Sequence, residues 1–206
     1  IYPRFTRLVD LNQSEDKNPS DYYRLIMQSE LRNMQIVSDV IDCVKRGRTP
    51  VVMTKYKEHA QKLYDMLQGV ADHVFLLQGG KSLKERAAIR EQMAAVRADE
   101  SLVLVAIGQY VGEGFNYPRL DTMLLAMPIS FEGNVEQHAG RLNRDYEGKK
   151  DAIIFDYIDQ HVPTLKRMYY KRLRAYKKIG YEVCSKVTDK QDVANSIFDS
   201  QNYFDV

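Results

Sequence analysis

Between Asp21 and Lys45 apolar residues recur at helical spacing, at Leu25, Leu31, Met34, Val37, Val40, Ile41 and Val44. That pattern predicts one amphipathic helix. Gly47 stops it and Pro50 forbids its restart. Upstream, the short apolar stretch Phe5 to Val9 reads as a strand or linker, and Asn12 to Ser20 as a polar loop. From residue 51 the pattern changes. Val51 to Thr54, His73 to Leu77, Leu102 to Ala106, Thr122 to Met127 and Ala152 to Phe155 are short apolar runs of the kind that form buried strands. Helical patterns separate them. Lys55 to Leu67 carries Ala60, Leu63, Tyr64 and Leu67 on one side, and Ser82 to Arg97 opens with Ser82 and Glu85 at capping-box spacing. A last amphipathic helix runs from about Val162 to Lys178, with Leu165, Tyr169, Leu173 and Tyr176 as its expected buried stripe.

Strands alternating with helices predict an α/β fold: a doubly wound parallel sheet with helices on both faces. Such a sheet takes ligands at the carboxyl ends of its strands. Residues 33–180 form the expected domain, 1–32 a leading extension or linker, and 181–206 a polar C-terminal extension. The chain starts at Ile1 without an initiator Met, which suggests a piece of a longer protein.

Composition narrows the partners. A net charge of +2 is too small to announce a polyanion, so any nucleic-acid signal has to be local. Cys43 and Cys184 lie far apart, outside any C-x-x-C, which argues against a disulfide framework or zinc site and for a reducing cytoplasm. No apolar run approaches the roughly 20 residues needed to cross a bilayer. No signal peptide is visible either.

The densest chemistry lies at Gln137-His138-Ala139-Gly140-Arg141-Leu142-Asn143-Arg144. On a helix, Gln137, Arg141 and Arg144 leave from one face. One amide and two guanidiniums aimed together suit a phosphate. Gly140 removes a side chain where a ligand could approach. Upstream, Gly112-Glu113-Gly114-Phe115-Asn116-Tyr117-Pro118 offers two glycines, an acid and an amide just past the third apolar run. Gly79-Gly80-Lys81-Ser82 is not a Walker A loop, which would need Gly where Phe75 stands. Phe155 to Asp159 resembles a Walker B strand end, but without a P-loop it reads as a structural strand exit. The last helix carries Lys166, Arg167, Lys171, Arg172, Arg174, Lys177 and Lys178 and no acid, as a snorkelling surface or a phosphate track.

In order and spacing these segments resemble the C-terminal RecA-like domain of superfamily II helicases. Gln137-x-x-Gly140-Arg141-x-x-Arg144 matches motif VI at each signature position. Ala106 to Pro118 resembles motif V of the branch containing UvrB-type repair helicases and type III restriction subunits. Val51 to Thr54 resembles motif IV, and Leu77 to Gly80 the turn after the next strand. The resemblance implies ATP held with Mg²⁺ between two RecA-like domains. The N-terminal one supplies the P-loop lysine and the metal-binding acid, and this one supplies Arg141 and Arg144 as arginine fingers, with Gln137 positioning the phosphate. It places Gly112, Glu113, Gly114, Asn116 and Gly140 at the nucleotide. Thr54, Lys55, Gln78, Gly79 and Gln109 fall along a bound strand, DNA by analogy and RNA as the second candidate. Lys171 and Arg174 on the last helix extend that track. This chain alone is then expected to hydrolyse no ATP. Asn116 replaces the usual Asp and brings no charge; Ile107 replaces a Thr or Ser and cannot touch a phosphate, leaving that contact to Gln109 or the backbone.

Two other readings compete. A nucleotide-sugar half of a two-domain glycosyltransferase is also doubly wound, but it does not call for Gln137, Arg141 and Arg144 in register. A non-catalytic nucleic-acid-binding scaffold would keep the shape without needing the arginines.

Overall fold

The computed structural model describes residues 1–10, 17–79, 82–108, 115–128, 139–140 and 142–184. Six strands form one sheet: β1 (Tyr2–Phe5), β2 (Pro50–Thr54), β3 (His73–Leu77), β4 (Leu102–Ile107), β5 (Thr122–Leu125) and β6 (Ile153–Ile158). Their order is β1-β6-β5-β2-β4-β3, and every neighbouring pair is parallel. β2 is central, with Val51 level with Leu104 on one side and Met123 on the other. Parallel strands need crossovers: α1 (Pro19–Gln28) and α2 (Glu30–Lys45) lie between β1 and β2, α3 (Lys57–Met66) between β2 and β3, and α4 (Leu83–Ala95) between β3 and β4, while α5 (Pro163–Lys178) follows β6.

Strand side chains alternate between faces, so each apolar run feeds two cores. Val52, Val103, Val105 and Leu124 pack against Ile36 and Val40 of α2 and Ala60 and Leu63 of α3. Val51, Met53, Leu104 and Met123 pack on the opposite face with Met93 of α4 and Ala175 and Tyr176 of α5. Both faces are covered, as the continuous apolar runs require. A third cluster joins Tyr23 and Ile26 of α1 to Leu8, Met127, Val162 and Leu165, residues that follow the carboxyl ends of the strands or begin α5.

Three expectations are corrected. The predicted single helix over 21–45 is two, because Ser29 leaves the helical region at φ −72°, ψ 101°. Its hydroxyl caps the second helix by accepting from the Arg32 amide at 3.4 Å. The strand expected at Phe5 to Val9 lies at Tyr2–Phe5, within the stretch read as an extension, and pairs with β6 from Tyr2↔Phe155 to Phe5↔Ile158. Arg4 holds it there through two bonds to Asp39 of α2, at 2.6 and 3.0 Å. Finally, Arg172 is no surface cation. It is 2% exposed and grips Asp156 of β6 through both carboxylate oxygens, at 2.7 and 2.8 Å. The α5 stripe therefore runs through Leu165, Arg172, Ala175 and Tyr176, with Tyr169 and Leu173 half-buried. Asp156 also explains why β6 outlasts its apolar run: the acid is buried with partners, so the strand continues through it to Ile158, and Asp159 just beyond is buried and partnered too.

Candidate functional site

The chain re-enters the described region at Phe115 after leaving β4, and the segment to Leu120 is pinned from several sides. Phe115 and Leu120 are buried in the α4–α5 core. The Tyr117 hydroxyl donates to the Met93 carbonyl at 2.9 Å, and Arg119 donates to the carbonyls of Arg97, Ala98 and Glu100. Asn116, between these anchors, is exposed. Ala139, Gly140 and Leu142 are helical, and the Asn143 amide bonds back to the Ala139 carbonyl at 3.3 Å. Ala139 and Leu142 bury into the same core as Phe115, which brings this turn beside the Asn116 loop. Gly140 faces outward, with open space where a Cβ would stand.

Arg144 then reaches across the two segments, and one of its terminal nitrogens donates to the Asn116 side-chain carbonyl. Two residues 28 positions apart, singled out on separate motifs, meet. The guanidinium is half-buried, and among the described residues it forms no ion pair. It also borders a polar groove of about 420 Å³ of mixed charge, lined by Lys149 and Lys150 but also by Asp145, Glu147 and Asp151. Among the described residues this guanidinium meets a neutral amide and no carboxylate at ion-pair distance, an arrangement that leaves it charge for an incoming anion such as a phosphate. Asn116 can likewise offer a hydroxyl both donor and acceptor.

Two residues support this arrangement without any sequence signal. Lys149 donates to three main-chain carbonyls around the pair. Tyr181, placed by pattern in the C-terminal extension, donates toward Asn143 Oδ1 at 3.0 Å and the Ala139 carbonyl at 3.3 Å. Gln137, Arg141, Gln109, Gly112, Glu113 and Gly114 lie outside the described residues.

The strand-end candidates behave differently. Thr54 closes β2, but its side chain is buried, with Oγ1 2.8 Å from His59 Nδ1. His59 Nε2 lies 3.0 Å from Asn33 Oδ1, and the Asn33 amide nitrogen donates to the Met27 carbonyl at 3.1 Å. With the Asn33 oxygen facing the ring, Nε2 carries the proton, Nδ1 accepts, and the Thr54 hydroxyl donates inward. Burial, helped by the Arg32 and Lys62 charges, pushes the His59 pKa down to about 3, so the relay is neutral. Lys55 is exposed, its ammonium 4.5 Å from the centre of the Tyr23 ring and 5.5 Å from that of Tyr56. Gln78 follows β3 half-buried, with Oε1 lacking a partner among the described residues, and Gly79 is buried. Lys171 and Arg174 stand exposed on α5. No three His, Cys, Asp or Glu side chains converge as a metal site among the described residues. No described helix is long and apolar enough to cross a membrane.

No protein-family model matches the chain. Over 177 residues it is 26% identical to the transcript termination protein A18 of fowlpox virus, covering 82% of this chain and 37% of that protein. Over 147 residues it is 26% identical to the "Probable helicase D10" of Escherichia phage T5, covering 71% of this chain and 32% of D10. Among solved structures, that of T4 UvsW aligns with a TM-score of 0.67 at 18% identity, over 89% of this chain and 39% of UvsW. The chain thus spans about a third of the length of these relatives. The all-parallel six-stranded sheet and the likeness to UvsW define the fold as that of the RecA-like helicase domains. More narrowly, the sequence is similar, at 26% identity, to one protein named for transcript termination and to one named as a probable helicase.

Proposed function

We propose that the chain is the second RecA-like domain of an ATP-dependent DNA helicase or translocase, closing on ATP bound against an N-terminal RecA-like domain of the same protein. The observation that carries this reading is the Asn116–Arg144 pair, a guanidinium held by an amide and, among the described residues, by no carboxylate, beside a polar groove. Arg144, together with Arg141, offsets the charge that develops on the transferred phosphoryl group. Gln137 orients that group, Asn116 bonds a sugar hydroxyl, and Gly112, Glu113, Gly114 and Gly140 let the main chain pass close to the nucleotide. When bound, Mg²⁺ acts as a Lewis acid on the phosphate oxygens; in this reading its ligands belong to the N-terminal domain.

Lys55, Gln78, Gly79 and Gln109 follow the strand, with Thr54 acting through its main chain because its hydroxyl is taken by His59. Lys171 and Arg174 add phosphate contacts that read no sequence. DNA is favoured by the resemblance, with RNA second, and two free cysteines suit a reducing cytoplasm.

The test uses the full-length protein. Arg144→Ala and Arg141→Ala each lower strand-stimulated ATP hydrolysis by roughly 10³-fold or more, with circular dichroism unchanged. The isolated 206-residue chain hydrolyses none. Substantial turnover by the isolated chain, or by the double arginine variant, overturns the reading.

A further inference from the structure

Lys149 stands where the two site segments meet, and nothing in its sequence context marks it. Its ammonium donates to the Leu120 carbonyl at 2.7 Å, the Arg144 carbonyl at 3.0 Å and the Pro118 carbonyl at 3.1 Å. A lysine has three N–H donors, so all are committed, and none goes to a carboxylate. Two acceptors lie on the segment that carries Asn116, and the third belongs to Arg144 itself. The lysine therefore ties together the main chains on either side of the Asn116–Arg144 contact.

The local chain is built to aim it. The Lys149 amide bonds to the Tyr146 carbonyl at 3.0 Å, closing a four-residue turn in which Gly148 takes φ +82°. That is the third position of a type II turn, where glycine carries no steric penalty. The turn sends the chain back toward the Pro118–Leu120 loop. The side chain is half-buried, and burial lowers its pKa, so the charge is kept out of bulk water in exchange for the three carbonyls.

We propose that Lys149 is a positioning residue for Arg144: it fixes the motif VI turn to the motif V loop, so that the guanidinium meets the phosphate already oriented. This rests on the reading of Arg144 as a phosphate contact. Orientation bears most on the transition state, where a misplacement of about 1 Å can cost on the order of 10²-fold in rate. A lysine that merely holds the fold would instead lower stability, nucleotide affinity and strand affinity together.

The experiment compares Lys149→Met, Lys149→Arg and Arg144→Ala in the full-length protein, reading strand-stimulated ATP hydrolysis, strand affinity and thermal melting. Lys149→Met is expected to lower kcat by about 10- to 100-fold, with KM for ATP and strand affinity within about twofold. Lys149→Arg keeps charge and donors, but its planar fork cannot converge on three carbonyls from one nitrogen, so it restores part of kcat. Should Lys149→Met be too unstable to assay, Lys149→Arg alone still has to show reduced kcat at unchanged KM. Wild-type kcat in both variants, or a parallel fall of kcat, affinity and melting temperature, overturns the proposal. Loss of turnover in Arg144→Ala beside wild-type turnover in Lys149→Met removes the Lys149 role alone. Wild-type turnover in Arg144→Ala removes the reading of the site, and the Lys149 role with it.

Discussion

Arginine is used in two opposite ways in this molecule. Against β6, Arg172 gives two donors to Asp156, and the Tyr176 hydroxyl adds a third bond to the same carboxylate at 2.9 Å. Arg4 grips Asp39, which also takes the Tyr157 hydroxyl at 2.7 Å, and Arg32 bonds Asp159 at 2.9 Å. All three arginines are buried and matched by a full negative charge. Among the described residues, Arg144 meets a single amide oxygen at the edge of a groove. A bidentate carboxylate takes both the charge and the geometry of a guanidinium; an amide takes one donor and none of the charge. What separates these arginines among the described residues is thus the partner, which composition and net charge cannot reveal.

The comparison breaks first at the buried end. Arg172→Met leaves Asp156 buried and uncompensated, and is expected to cost about 3–5 kcal/mol in denaturant unfolding. Arg144→Ala should stay within about 0.5 kcal/mol of wild type in the same assay, as for substitutions outside packed or paired interiors. Equal losses would mean Arg144 is as structural as Arg172.

Acid probes the interior in a second way. An unfolded imidazole takes up its proton near pH 6.5, whereas His59 in the folded chain does so only near 3. The folded state is thus intact with respect to His59 above about pH 6.5 and loses stability as the pH falls toward 3, by on the order of 5 kcal/mol in all. His59→Gln, which cannot protonate, should flatten stability against pH between about 6 and 4 relative to wild type. Superimposable slopes would show that His59 is not neutral in the fold.

At the site, Asn116→Asp turns the amide contact into a carboxylate pair and makes Arg144 resemble Arg172. Its turnover should fall by about fivefold, the cost of detaching a partly exposed ion pair of roughly 1 kcal/mol before the phosphate is met. Unchanged turnover would mean that Asn116 does not govern how freely Arg144 leaves. The smallest effect belongs to α5: Lys171→Gln with Arg174→Gln should reduce the salt dependence of strand binding by about one to two units of slope in log–log form. An unaltered slope removes α5 from the track.

Much of the sheet was legible in the pattern. β2, β3 and β4 lie within a residue of their apolar runs, because strands buried on both faces have no polar interruption to blur them. The Ser82–Glu85 capping box forms as its spacing predicts. β1 escaped because a strand carrying Arg4 does not look buried until Asp39 supplies the charge 35 residues away. Arg172 escaped for the same reason, hidden in a run of cations while its acid sat on another element. Asn116 and Arg144 were singled out on separate motifs, and their contact is what the fold adds; for Thr54 the sequence marks the strand end but not the side chain's direction, which depends on His59 and Asn33, residues that spacing does not connect. Lys149 and Tyr181 left no trace, since carbonyl acceptors exist at every residue and mark none.

A strap fastened wholly to peptide oxygens has a corollary for divergence among homologues. Side chains at 118 and 120 can drift without detaching it, because substitution there leaves both acceptors in place. The constraint falls instead on position 149, which has to keep a long cationic donor, and on position 148, where any Cβ would be forced into a left-handed backbone.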